Sequence, residues 1–101
     1  MPERWINLIT VFAPQKELRK FLLKSHWKRK LSGRFWELRE NMRTRVGWQF
    51  ETESSPILSV EALSWRWPKL VLVLQWENET KRRIGLVKAR AGRLEQFTVR
   101  Y

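Results

Sequence analysis

The side chains that could perform chemistry are few in this chain. It has no Cys and a single His, His26, and all ten of its acidic residues are Glu. Metal-dependent phosphodiester chemistry usually draws on clustered Asp, Glu or His, and a thiolate nucleophile or a Cys-rich zinc site needs Cys. The composition therefore favours a binding protein over an enzyme, and we expect no catalytic residue, no metal and no cofactor.

One pair of carboxylates could still do chemistry. Glu51 and Glu53 lie two residues apart on the same side of a predicted strand, and paired carboxylates can transfer protons or bind a metal. Two Glu beside a helix start more often pair with Arg side chains, and we interpret them in this way. His26 has no ligand-type residue three or four positions further along its predicted helix, so we expect it on the surface rather than in a metal site.

Basic side chains dominate the sequence. Lys and Arg number 21, and the net charge is +11 at pH 7. Such an excess attracts polyanions, above all the phosphates of nucleic acids, although a solvated, solubilising surface has the same composition. The two densest basic segments give the candidate nucleic-acid-binding residues, which are Lys24, Lys28, Arg29, Lys30, Arg34, Arg39, Arg43, Arg45, Lys81, Arg82 and Arg83, together with Trp27 and Trp36.

The Trp residues are the second unusual component, with seven in 101 residues. Trp27 and Trp36 lie among Lys and Arg, the arrangement that a surface combining base stacking with phosphate contacts requires. Packing in the core explains these two residues equally well, and both interpretations stay open. Trp48 and Trp76 stand in predicted strands among apolar neighbours, which predicts core or sheet-face positions.

Length and apolar content predict a single domain over residues 1–101. The longest apolar run, residues 70–74, is far shorter than the about 20 residues that a membrane span needs, so we expect no membrane partner. The N-terminal segment, residues 1–4, has no basic region followed by a long apolar run, which predicts no signal peptide. The absence of Cys fits a cytoplasmic protein.

Hydrophobic periodicity predicts the elements that must position these residues. A strand is expected over 6–12, followed by a helix that begins at Pro14 and runs to about Lys24–Lys28. Phe35, Leu38 and Met42 repeat at helical spacing, which predicts a short helix or an irregular insert. The remaining predicted elements are a strand around 46–51, a helix over 56–67, and strands over 70–76, 84–89 and 96–101.

This element order is close to the split β-α-β plan of ferredoxin-like folds. The sequence therefore predicts an α+β domain in which two helices pack on one face of a mostly antiparallel sheet. The other face of that sheet would be open to a partner.

A family resemblance points the same way. Residues 50–56 (FETESSP), 60–64 (VEALS) and 67–68 (WP), followed by the apolar strand of 70–77, resemble the signature of the YubB-type ferredoxin-like domain. Members are small proteins of phages, plasmids and bacterial genomes, with a largely uncharacterised biochemical role. The resemblance implies the ferredoxin-like fold and a mobile-element setting, and it implies no catalytic residues.

Three functions fit these observations. The first is a non-catalytic protein that binds RNA or DNA through phosphate contacts with weak sequence specificity. The second is an interaction or anti-defence factor that docks on an acidic protein surface. The third is a metal-free ribonuclease toxin that works with Arg, Lys and Tyr. Composition favours the first.

Overall fold

The computed structural model describes residues 3–101. The prediction of no signal peptide uses residues 1–4, and residues 1 and 2 lie outside this range. The described chain forms six strands and three helices. They are β1 (Trp5–Phe12), α1 (Gln15–Lys24), α2 (Trp27–Leu31), β2 (Arg34–Met42), β3 (Arg45–Thr52), α3 (Ile57–Arg66), β4 (Val71–Asn78), β5 (Arg83–Arg90) and β6 (Arg93–Arg100).

The strands form one sheet in the order β2-β3-β1-β4-β5-β6, and every neighbouring pair is antiparallel. Short turns join β2 to β3, β4 to β5 and β5 to β6. Helices make the two longer connections: α1 and α2 lead from β1 to β2, and α3 leads from β3 to β4. Strand β1 therefore lies in the interior of the sheet, between two strands that come later in the chain.

The predicted ferredoxin-like split β-α-β domain with two helices is wrong. The structure has a six-stranded antiparallel sheet and three helices. One reason is a backbone reversal at His26, whose φ of 53° is left-handed. It separates α1, which ends at Lys24 within the predicted range, from a further helix, α2. The other reason is a strand that the periodicity did not predict.

That additional strand is β2. The helical spacing of Phe35, Leu38 and Met42 predicts a helix or an irregular insert, and this prediction is wrong. All three side chains are exposed, so no core forms along the apolar stripe. The backbone pairs with β3 instead, in a register that shifts twice, and Trp36 is the side chain of this segment that packs on the core.

The core lies between one face of the sheet and all three helices. Alternate residues of the inner strands, such as Ile9, Phe50, Leu74 and Val87, point toward this face and are fully buried. Phe21 of α1, Leu31 of α2 and Val60 of α3 belong to the same hydrophobic cluster. We call this side of the sheet the helix face.

Within residues 3–101 no helix packs on the opposite side of the sheet, and we call this side the open face. No helix within residues 3–101 is long and apolar enough to cross a membrane.

Candidate nucleic-acid interface

The two candidate Trp residues contribute to the core rather than to an accessible surface. Trp27 at the start of α2 is only 4% exposed. Trp36 of β2 is half-buried and stacks on Phe50, with ring centroids 4.4 Å apart and planes 13° apart. Its indole Nε1 donates a hydrogen bond to the carbonyl oxygen of Gly33 at 3.0 Å. Of the two open interpretations, core packing therefore describes both residues.

Lys28 lies over this aromatic cluster. Its Nζ is 3.7 Å from the ring centre of Trp48, and 5.6 and 5.4 Å from those of Trp27 and Trp36. An ammonium in this position is attracted by the negative faces of the rings. Lys28 is therefore less available to contact a phosphate than its position in the basic segment of the sequence predicts.

Three other candidates of the first segment do present free charge. Lys24 at the end of α1, and Arg29 and Lys30 of α2, are exposed and form no ion pair within residues 3–101. We call these three residues the helix cations. They lie on the helix side of the sheet.

The candidates of β2 and β3 are mostly neutralised by neighbouring Glu. Arg34 pairs with Glu53 at 2.9 Å, Arg39 with Glu37 at 3.5 Å and Arg45 with Glu40 at 2.5 Å. Arg43, in the turn between these two strands, is exposed and has no ion pair in the described chain.

The second basic segment surrounds the turn between β4 and β5. Lys81 pairs with Glu3 at 3.2 Å, and its hydrogen bond is the main cause that lowers the pKa of that carboxyl below its ordinary value. The Arg82 guanidinium lies 5.7 Å from the ring centre of Tyr101. Arg83, at the start of β5, is exposed.

The two predicted basic segments do not converge on one patch. Arg34 begins β2 and Arg83 begins β5, with strands β3, β1 and β4 between them. Four spacings of about 4.8 Å place these strands about 19 Å apart across the sheet.

The open face carries an apolar surface that sequence reasoning missed. Its members come from β1, β5 and β6 and alternate along each strand, and we call them the apolar patch: Ile6, Leu8, Ile84, Leu86, Phe97 and Val99. They line a shallow depression of about 480 Å³. Phe97 is the most exposed of the strongly apolar members, at 72%.

The alternation of Phe97, Val99 and Tyr101 was visible in the sequence, but an apolar side of a strand is normally expected to face the core. Within residues 3–101 the helices lie on the other face of the sheet, where α3 contacts β5 and β6, so this side of β6 faces solvent. The sequence of strand β5 contains a signal for this exposed surface, since Ile84 and Leu86 lie on one side of the strand and Val87 and Ala89 on the other. A strand that is apolar on both sides predicts a second contact surface.

Three cations on the open face were also missed as binding candidates. Lys88, Arg90 and Arg93 are exposed and form no ion pair within residues 3–101, and we call them the strand cations. Arg90 and Arg93 face each other across the turn between β5 and β6. Lys88 lies opposite Glu95, two residue pairs along the strands from Arg90 and Arg93 and closer to the apolar patch.

Tyr101, which follows β6, contacts Glu77, a residue that lines the depression. Its hydroxyl donates a hydrogen bond to Glu77 Oε2 at 2.5 Å. This bond, together with desolvation and the negative charges of Glu77 and Glu79, raises the pKa of Tyr101 above its ordinary value, while Arg82 lowers it by a smaller amount.

The remaining candidates for chemistry form ion pairs or lie on the surface. Glu51 pairs with Arg4, and Glu53 pairs with Arg34, so the expected Arg partners are confirmed. His26 is exposed, as predicted. No group of three or more His, Cys, Asp or Glu with metal-binding geometry occurs in the part of the chain that the structure describes.

Comparison with protein-family models, with curated proteins and with solved structures gives no match. The resemblance to the YubB-type domain therefore stays a prediction.

Proposed function

We propose that this chain is a non-catalytic, cytoplasmic nucleic-acid-binding protein that holds RNA or DNA mainly through its phosphates. The proposal depends on free positive charge. Seven of the 21 Lys and Arg side chains form ion pairs with Glu, which leaves 14 without such a partner within residues 3–101.

Free cations matter because only a cation that is not already neutralised contributes a full phosphate contact. Each contact releases counterions, and it therefore adds to both affinity and salt dependence. The helix cations and the strand cations are two such groups. Because they lie on different sides of the sheet, charge alone does not select one face.

The experiment compares three variants that change the net charge equally. The first replaces the helix cations with Gln (Lys24→Gln, Arg29→Gln, Lys30→Gln), and the second replaces the strand cations with Gln (Lys88→Gln, Arg90→Gln, Arg93→Gln). The matched control replaces three ion-paired cations, each with a Glu of its own (Arg34→Gln, Arg39→Gln, Lys81→Gln). Binding to labelled RNA and DNA is measured by fluorescence anisotropy across a salt series.

At least one of the free-cation variants should flatten the log–log salt slope by about 2 to 3, because each lost phosphate contact removes about 0.7–0.9. The ion-paired control should leave the slope close to that of the parent protein. Equal slopes in all four proteins would contradict the proposal.

A protein partner is the second candidate function, and the apolar patch is the observation that favours it. Exposed apolar surface that is rimmed by polar residues often marks a protein interaction site. An acidic protein would also be attracted by the net charge of +11. Capture of an acidic protein that survives nuclease treatment, together with no affinity for either nucleic acid, would favour this function.

A further inference from the structure

The open face combines an exposed aromatic ring, apolar neighbours and free cations. We propose, building on the proposed function, that this face is the binding site for single-stranded nucleic acid, with a base stacked on Phe97 and phosphates held by Arg90 and Arg93.

The ring of Phe97 is the proposed stacking surface. Phe97 stands in the outermost strand β6 and is 72% exposed. On the same side of the sheet, it lies directly opposite Leu86 of β5. A flat ring beside an aliphatic side chain is a platform on which any base can stack, since every base has a π-face.

The guanidinium groups of Arg90 and Arg93 are the proposed phosphate contacts. Arg93 lies four residues before Phe97 on the same side of β6, and Arg90 lies opposite Arg93. At about 3.4 Å per residue, four residues of strand span about 14 Å. The phosphates of a strand that passes over Phe97 can reach both guanidinium groups, which lie on the same face.

The side-chain amide of Gln75 is available to bond a base. Gln75 of β4 is exposed and lies directly between Leu8 of β1 and Leu86 of β5. Its side chain has no hydrogen-bond partner within residues 3–101. An amide both donates and accepts, so Gln75 can bond the edge of a base whose face rests on the neighbouring apolar side chains.

The occupant follows from charge and from access to base faces. A second copy of this chain brings another +11 to the interface, and like charges repel. A nucleic acid brings the opposite charge. A duplex hides the faces of its bases, whereas a single strand exposes them.

The experiment compares the substitution of two Phe residues that are equally exposed. Phe97→Ala removes the proposed platform. Phe35→Ala removes a Phe of the same 72% exposure from β2, at the opposite edge of the sheet. Affinities are measured by fluorescence anisotropy for a labelled oligothymidylate of about 12 nucleotides, a length within the usual range for such sites, and for a duplex of equal length.

Phe97→Ala should weaken oligothymidylate binding about 5- to 150-fold, which corresponds to the loss of one stacked base. Duplex binding should change by less than about twofold, as should both affinities of Phe35→Ala. Phe97→Tyr, which keeps a ring, should retain the parent affinity. Circular dichroism checks that each variant is folded.

Equal oligothymidylate affinities for Phe97→Ala and Phe35→Ala would overturn the inference. If binding then remained salt-dependent, the proposed function would stand, and the helix-cation and strand-cation variants would show which group of cations holds the phosphates. If the parent protein bound neither oligonucleotide at low salt, the proposed function would fail as well. A dimer, seen by sedimentation, that Phe97→Ala dissociates without loss of oligothymidylate affinity would show that a second copy covers this face.

Discussion

The ammonium of Lys28 lies 3.7 Å above the ring centre of Trp48, which gives this cation a structural partner inside the protein. Trp27 and Trp36 complete the aromatic surroundings of the same ammonium. The residue that stands at the centre of the basic segment in the sequence therefore helps to hold α2 on the sheet.

Lys28→Met tests this contact, because it keeps most of the unbranched side chain and removes its charge. We expect the free energy of unfolding to fall by about 1 kcal/mol, the strength of a partly buried cation–π contact. Urea unfolding followed by Trp fluorescence measures the change. Lys30→Met, at an exposed position of the same helix, should stay within about 0.5 kcal/mol of the parent protein. An equal effect of both substitutions would show that the contact contributes nothing.

Gly85 makes room for the ring of Trp76. A Cβ atom at this position would overlap the indole, and Trp76 is buried against Trp5, with ring centroids 4.8 Å apart. Gly85→Ala should therefore lower the free energy of unfolding by about 1–3 kcal/mol through overpacking, as measured by urea unfolding.

The matched control for this substitution is Gly47→Ala, also in a strand. Its added Cβ would lie 3.4 Å from the Cβ of Glu40, an ordinary contact. Because Ala lowers the entropy of the unfolded chain, we expect no loss of stability and a gain of up to about 1 kcal/mol. A Gly85→Ala variant as stable as Gly47→Ala would rule out the close packing of Trp76.

Tyr101 provides a pH test, since it is the only Tyr of the chain and its ionisation can be followed by ultraviolet absorbance. Its hydrogen bond to Glu77 raises its pKa, and Glu77→Gln should bring that pKa back toward the ordinary value. A raised pKa in the folded state means that this interaction stabilises the fold below the pKa of the unfolded chain, and that the stabilisation is lost as the pH rises through the folded pKa. The difference in unfolding free energy between the parent and Glu77→Gln should therefore shrink in alkali. Identical tyrosine titrations in the two proteins would contradict the assigned contact.

Periodicity predicted the strands and helices that face the core, because burial imposes a regular pattern on their side chains. Strand β1, helix α3 and strand β4 lie close to their predicted ranges. Strand β2 could not be predicted in this way. It is an edge strand with irregular pairing, and most of its side chains are exposed, so pairing with β3 rather than burial determines its conformation.

The candidate site was predictable in chemistry but not in position. Composition identified the excess of cations, whereas the pairing of Arg34 with Glu53 and the position of Lys28 over Trp48 depend on contacts between distant segments. The apolar patch was not predicted, since nothing in the local pattern of β6 shows which side of the strand the helices cover.

Phosphate contacts made by free cations are the central feature of the proposed function. The salt dependence of the parent protein's affinity for nucleic acid tests them most directly. The affinity for one RNA and one DNA oligonucleotide is determined by fluorescence anisotropy over a series of salt concentrations. We predict that both log–log plots fall linearly with a slope of about −2 or steeper, as expected for three or more phosphate contacts. Absence of binding at low salt, or an affinity that does not change with salt, would contradict it.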